Sequence, residues 1–277
     1  DASSSQLEWI VSGYILTFAV LLITGGRLGD RFGRKTVFVV GVIGFTLSSL
    51  VCAVATTADV LVISRLVQGA FSALMIPQVL SIIQVLFRPK ERAAVFGALG
   101  AVSGMAAVAG PLIGGSLVSA DAFGLGWRSI FVINLPVGIL LLVASLIFIK
   151  NSKSEKIIRI DLAGVLLISG ALFMLVFALI QGREYEWPLW IWLMIAASPV
   201  LIGLFVRIQY QNEKATGTSL IPPSLFRSRG YAAGAVTAFA STASVASFYL
   251  IFAIYLQVGL GFSAIEAGLA SLPFSIG

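Results

Sequence analysis

Apolar residues fall into eight long runs, near residues 8–28, 37–57, 60–86, 92–119, 128–149, 161–181, 187–207 and 231–257, and a ninth begins near Ile265. At 1.5 Å per residue, each is about the 20 residues that a helix needs to cross a bilayer. The pattern predicts an all-α, polytopic transmembrane bundle of eight complete helices and part of a ninth. Of 18 lysines and arginines, 15 lie in alternate connections: Arg27 to Lys35, Arg88 to Arg92, Lys150 to Arg159, and Arg207 to Arg229. The opposite connections hold Arg128 and Arg183, and Arg65 lies inside a run. Basic loops stay cytoplasmic. The chain is therefore expected to begin, and its last complete helix to end, on the extracytoplasmic side of a cell membrane.

Composition narrows the class. Hydrophobic residues make up 58% and charged residues 11% of the 277 residues, against about 25% charged in soluble domains. The net charge of +6 sits in the loops, so it reports topology rather than nucleic-acid binding. The chain has no histidine and one cysteine, Cys52, which excludes His/Cys metal sites, histidine proton relays and an internal disulfide. Every acid, from Glu8, Asp30 and Asp59 to Glu91, Asp161 and Glu266, falls at a helix end or in a loop. Enzymatic chemistry and a cofactor are not expected. Asp1 is not a natural start and no charged leader precedes the first run, so the chain reads as a fragment without a signal peptide.

Candidate chemistry begins with Arg65. A charge in hydrocarbon costs about 2.5 to 3.5 kcal/mol on insertion scales, so it is rarely kept without a role. Arg65, Gln68, Gly69 and Ser72 recur at three and four, forming one polar, narrow stripe. Either Arg65 snorkels outward, or it faces the bundle interior and raises the acidity of a nearby carboxylic acid, a coupling role; Gln68 favours the second. In the run 92–119, Gly97, Gly100, Gly104, Ala107, Pro111 and Gly114 form a small-residue stripe. It serves close packing alone, or a helix bent at Pro111 on which two bundles rock. Tyr14, Gln68, Gln78 and Asn134 are polar at spanning depth, and Trp9 and Phe71 add aromatic surface for a flat or cationic lipophile. Trp187, Trp190 and Trp192 read as an interfacial belt.

From Gly26 to Lys35 the chain reads Gly-Arg-Leu-Gly-Asp-Arg-Phe-Gly-Arg-Lys. Its glycines permit a tight turn, and Asp30 can accept from Arg31, Arg34 or a facing helix end. That makes a breakable latch, or a basic loop that only fixes topology. Arg34 interrupts the Gly-Lys adjacency of a phosphate loop, which excludes nucleotide binding. Ser5 with Glu8, and Ser263 with Glu266, are capping boxes at outer helix starts, a sign of internal duplication.

The Gly26 to Lys35 segment resembles the loop signature of the major facilitator superfamily. Leu61, Arg65, Gln68, Gly69 and Ala73 resemble its fourth-helix pattern, with Phe71 in place of a second glycine. Gly110-Pro111-Leu112-Ile113-Gly114-Gly115, with Gly104 upstream, resembles the fifth-helix motif of antiporters. The extra helices after the sixth, and Trp127 to Pro136, are similar to the fourteen-helix drug:proton antiporter branch. The resemblance implies that residues 1–150 are a first bundle lacking its first helix, 151–208 two inserted helices, 209–229 a cytoplasmic linker and 230–277 the start of a second bundle. It implies proton-coupled efflux of amphipathic or drug-like molecules by alternating access, in a monomer whose partners are a lipophilic or cationic substrate, protons and lipid. Gly26, Asp30, Arg31, Gly33, Arg34 and Lys35 would form the latch and Arg65 with Gln68 the proton-coupling pair. Gly104, Gly110, Pro111, Gly114 and Gly115 would form the antiporter motif, with Tyr14, Phe71, Gln78 and Asn134 in the pocket. The titrating acid is expected upstream of Asp1. A uniporter or symporter of a small metabolite, or a non-transporting receptor or scaffold, are the alternatives.

Overall fold

The computed structural model describes residues 4–121, 124–152, 161–216, 219–263, 266–267 and 270. These form helices α1 (Ser4–Phe32), α2 (Arg34–Ala53), α3 (Ala58–Leu86), α4 (Pro89–Ala120), α5 (Ser129–Val132), α6 (Asn134–Phe148), α7 (Leu162–Gln181), α8 (Leu189–Thr216) and α9 (Arg229–Ile254). Among the described residues, six segments are long and apolar enough to cross a membrane: Gln6–Phe32, Arg34–Ala53, Ala58–Leu86, Gly126–Phe148, Leu162–Gln181 and Leu189–Ala215. The protein is a multi-pass, all-helical membrane protein. The other two expected runs are occupied by α4, of 32 residues, and α9, of 26.

Three boundaries differ from expectation, each for a local reason. The first helix does not turn at Gly26 but continues to Phe32. Gly25 and Gly29 serve packing there: a Cβ on Gly25 would stand 2.2 Å from the Ala73 carbonyl oxygen, and one on Gly29 would overlap the Gln78 amide. The chain reverses at Gly33 alone, where φ is 103°. The run 128–149 breaks between α5 and α6, because Pro136 has no N–H to return to Val132 and its ring opposes that carbonyl. Helix α8 extends past residue 207 to Thr216, held by Gln209. Its side chain is fully buried, donates to Asp161 Oδ2 at 2.6 Å and accepts from the Leu220 N–H at 2.5 Å.

The chain divides into two compact units. In the first, residues 1–88 and 131–222, α3 packs against α1 and α2, α6 against α2, and α7 against α8 and α1. Its interior combines apolar clusters such as Phe38, Val42 and Ile82 with buried polar groups (Ser48, Ser49, Ser64, Gln68, Ser72 and Gln78), while Ile147 and Phe148 are exposed. That is the arrangement a bilayer favours, since lipid gives apolar helices no reason to hide from it. Helices α1 and α3 approach so closely that a Cβ on Gly69 would lie 2.2 Å from Thr17 Oγ1. Thr17 closes the contact by donating to the Leu66 carbonyl at 2.8 Å. At the other end Asp161 caps α7, accepting from Gly164 N–H at 2.9 Å, and Arg27 of α1 donates to the carbonyls of Ser219 and Leu220.

The second unit, residues 89–130 and 223–277, contains α4 and α9. Helix α9 runs into a single π-helical turn at Tyr255–Gly259. On α4, apart from the helix's own neighbouring backbone, no described atom lies within 4 Å of where a Cβ would stand on Gly97, Gly100, Gly104, Gly110 or Gly114. The capping box at Ser263 and Glu266 forms reciprocally, with Ser263 N–H donating to Glu266 Oε2 at 2.8 Å and Glu266 N–H to Ser263 Oγ at 3.3 Å. The side chain of Ser5, in the other expected box, lies outside the described side chains.

Candidate functional site

Helix α3 begins at a conventional cap, Thr57 Oγ1 accepting from Val60 N–H at 3.3 Å. Arg65 is thus about 10 Å along the helix. Its side chain turns toward α1: Nε donates to the Ile10 carbonyl at 2.8 Å, and the guanidinium carbon lies 4.4 Å from the centre of the Tyr14 ring and 5.9 Å from that of Phe131. Nη1 donates to Gln68 Oε1 at 2.5 Å, one turn along α3. A charge-assisted hydrogen bond is worth about 1.5 to 3 kcal/mol and a desolvated cation–π contact about 2. Together they are of the same order as the insertion cost of the charge. Among the described residues none of its partners is a carboxylate.

The polarity spreads from Gln68. Its Nε2 donates to Ser49 Oγ on α2 at 2.5 Å, and Asn134 at the start of α6 donates to the same oxygen at 3.4 Å. Tyr14 O–H donates to Ser72 Oγ at 2.8 Å. Four helices, α1, α2, α3 and α6, therefore meet in one cluster of Tyr14, Ser49, Arg65, Gln68, Ser72 and Asn134. Ser49 was invisible in the sequence, since a serine in an apolar run marks nothing until its partners are known.

Phe71 and Gln78 stand apart from this cluster. The Phe71 ring lies over Gly44, where a Cβ would sit 2.2 Å from it. Gly44 on α2 thus leaves room for the phenylalanine that replaces a glycine on α3. Gln78 is buried and donates to the Gly25 carbonyl at 2.8 Å. Trp9 packs against Phe177 of α7, with ring centres 5.7 Å apart. The Trp187 and Trp192 rings meet at a tilt, with centres 5.3 Å apart, at the start of α8.

In the Gly26 to Lys35 segment, Asp30 pairs with Arg34 at 3.1 Å across the Gly33 reversal. Arg31 lies over the Phe32 ring, 5.3 Å from its centre. Lys35 leaves the segment altogether and donates to the Leu146 carbonyl of α6 at 2.8 Å. A Cβ on Gly26 would stand 3.5 Å from the Pro77 Cβ of α3. Gly104, Gly110, Gly114 and Gly115 all lie within α4, and the ring of Pro111 is outside the described side chains.

The Major Facilitator Superfamily model matches residues 1–277. A protein described as a probable actinorhodin transporter from Streptomyces coelicolor is 46% identical over 275 residues, covering 99% of this chain and 47% of that protein. A tetracenomycin C resistance and export protein from Streptomyces glaucescens is 36% identical, covering 99% of this chain and 50% of that one. A methylenomycin A resistance protein from Streptomyces coelicolor is 35% identical, covering 100% and 57%. The chain spans about half the length of the curated relatives it matches.

Proposed function

The chain belongs to the Major Facilitator Superfamily, and from that premise we propose that it forms part of a proton-coupled exporter of amphipathic, drug-like molecules, not an enzyme. The efflux direction is supported by relatives described as transport, export and resistance proteins for antibiotics. The observation that carries the coupling is Arg65: a cation at spanning depth held by a carbonyl, an amide and two aromatic rings. A fixed positive charge lowers the pKa of a carboxylic acid brought beside it and helps to eject its proton. The titrating acid is proposed to lie outside residues 1–277. Tyr14, whose ring lies under the Arg65 guanidinium, and Asn134, joined to Arg65 through Ser49 and Gln68, would place substrate contacts in the same cluster that handles the proton. Asp30 and Arg34 would hold one conformation as a latch, and the glycine stripe of α4 would pack against the second bundle. The basic connections would be cytoplasmic.

The experiment is reconstitution of the full-length protein in liposomes with a fluorescent amphipathic cation inside or outside, under an imposed pH step. Uphill movement of the dye, matched by proton counterflow and abolished by a protonophore, is the expected result. Dye movement that only runs down its own gradient means a uniporter, and dye and proton moving the same way means a symporter.

A further inference from the structure

Below the cluster, where α2 begins and α6 ends, the two helices border an open groove of about 610 Å³, of whose lining the transport reading uses Lys35 alone. Two of its walls are hydrocarbon: Val40 is 47% and Ile147 68% exposed. Its mouth carries Lys35 and Lys150, with Thr36 and Asn151 between them. Asn151 Nδ2 donates to Thr36 Oγ1 at 3.1 Å, so the polar rim is tied together. Lys35 spends one ammonium hydrogen on the Leu146 carbonyl, leaving two of its three donors. The first turn of α2 borders the mouth, its Arg34 N–H donating to the Ser152 carbonyl at 3.0 Å. The positive end of that helix dipole adds to the two lysines.

The level of this groove decides its ligand. Candidate spans end at Phe148 and start at Arg34, so the lysines stand where headgroups lie and the valine and isoleucine where acyl chains begin. A soluble anion would use the cations and leave the hydrocarbon walls unmatched. A zwitterionic lipid would fill the walls but bring no net negative charge to the mouth. We propose that this groove binds an anionic phospholipid, its phosphodiester at Lys35 and Lys150 and one acyl chain along Val40 and Ile147; basic clefts between helix ends are suited to such headgroups. The proposal does not rest on the transport mechanism, and although Lys35 also belongs to the latch segment, the readout is lipid retention and not transport. The leaflet, cytoplasmic, follows from the orientation proposed above.

The test is lipid retention, read without any transport assay. The full-length protein is placed in nanodiscs of mixed phosphatidylglycerol and phosphatidylethanolamine, released, and the lipids still bound are counted by native mass spectrometry. Wild-type protein should retain phosphatidylglycerol above its share of the bilayer. Lys35→Gln and Lys150→Gln should each lower that retention about fivefold, the worth of one surface lysine against an anionic leaflet. The variant carrying both Lys35→Arg and Lys150→Arg keeps the charge and should retain the lipid, which separates binding from misfolding. Equal retention in the double glutamine variant would overturn the site. Displacement of the lipid by millimolar inorganic phosphate would also overturn it, because the groove would then be a soluble-anion site.

Discussion

Gly33 carries the sharpest demand made on any single residue of the signature segment. Its φ of 103° is a conformation that side-chain-bearing residues rarely adopt, and a Cβ there would stand 2.4 Å from Asn151 Oδ1. The asparagine can swing aside; the backbone cannot. Gly33→Ala should destabilise the protein by about 1 to 3 kcal/mol, measurable as a lower Tm in detergent, whereas Gly26→Ala, with only a 3.5 Å contact to Pro77, should be close to neutral. At this scale much of the site was legible. Arg65, Gln68, Tyr14 and Asn134 stood out because a polar group in hydrocarbon is costly, and the structure brings these four together. Gln78 stood out for the same reason, yet its amide is spent on the Gly25 carbonyl. Sequence cannot separate a polar side chain that faces a cavity from one that satisfies a neighbouring backbone.

At the scale of elements, each of the eight apolar runs coincides with helix, because run length against bilayer thickness is a strong constraint. Ends were less legible. Helix α8 outran its apolar stretch because a buried glutamine joins it to the α7 cap and to the segment after it, which hydropathy cannot report. Asp161 Oδ2 also accepts from Asn212 at 3.2 Å, so the loss of Gln209 leaves Asp161 a donor and strands the Leu220 N–H. Gln209→Ala should leave a buried Leu220 N–H unsatisfied and cost about 1 to 3 kcal/mol. Gln211→Ala, exposed on the same helix, should stay within about 0.5 kcal/mol of wild type. A thermal melt of both variants checks the pair; equal Tm values would mean the Asp161 network is ornamental.

For the whole molecule, orientation and coupling carry the account. Cys52 is fully buried, so the native thiol is silent to an impermeant reagent and needs no removal. In intact cells expressing the full-length protein, a cysteine replacing Lys90 should be shielded and one replacing Glu184 labelled; reversed labelling overturns the orientation. The proposed orientation rests on the segregation of lysine and arginine by loop, whereas the division into two compact units depends on which helices pack and not on where the loops fall. The most direct measurement of the central claim is uphill dye efflux, driven by a pH step, in liposomes carrying full-length wild-type, Arg65→Lys or Arg65→Ala protein. If Arg65 supplies the charge that ejects the proton, Arg65→Ala abolishes accumulation against the gradient while dye binding persists, and Arg65→Lys retains part of it, the compact ammonium replacing the charge but not the guanidinium geometry. An Arg65→Ala protein that pumps as fast and as far as wild type contradicts the account.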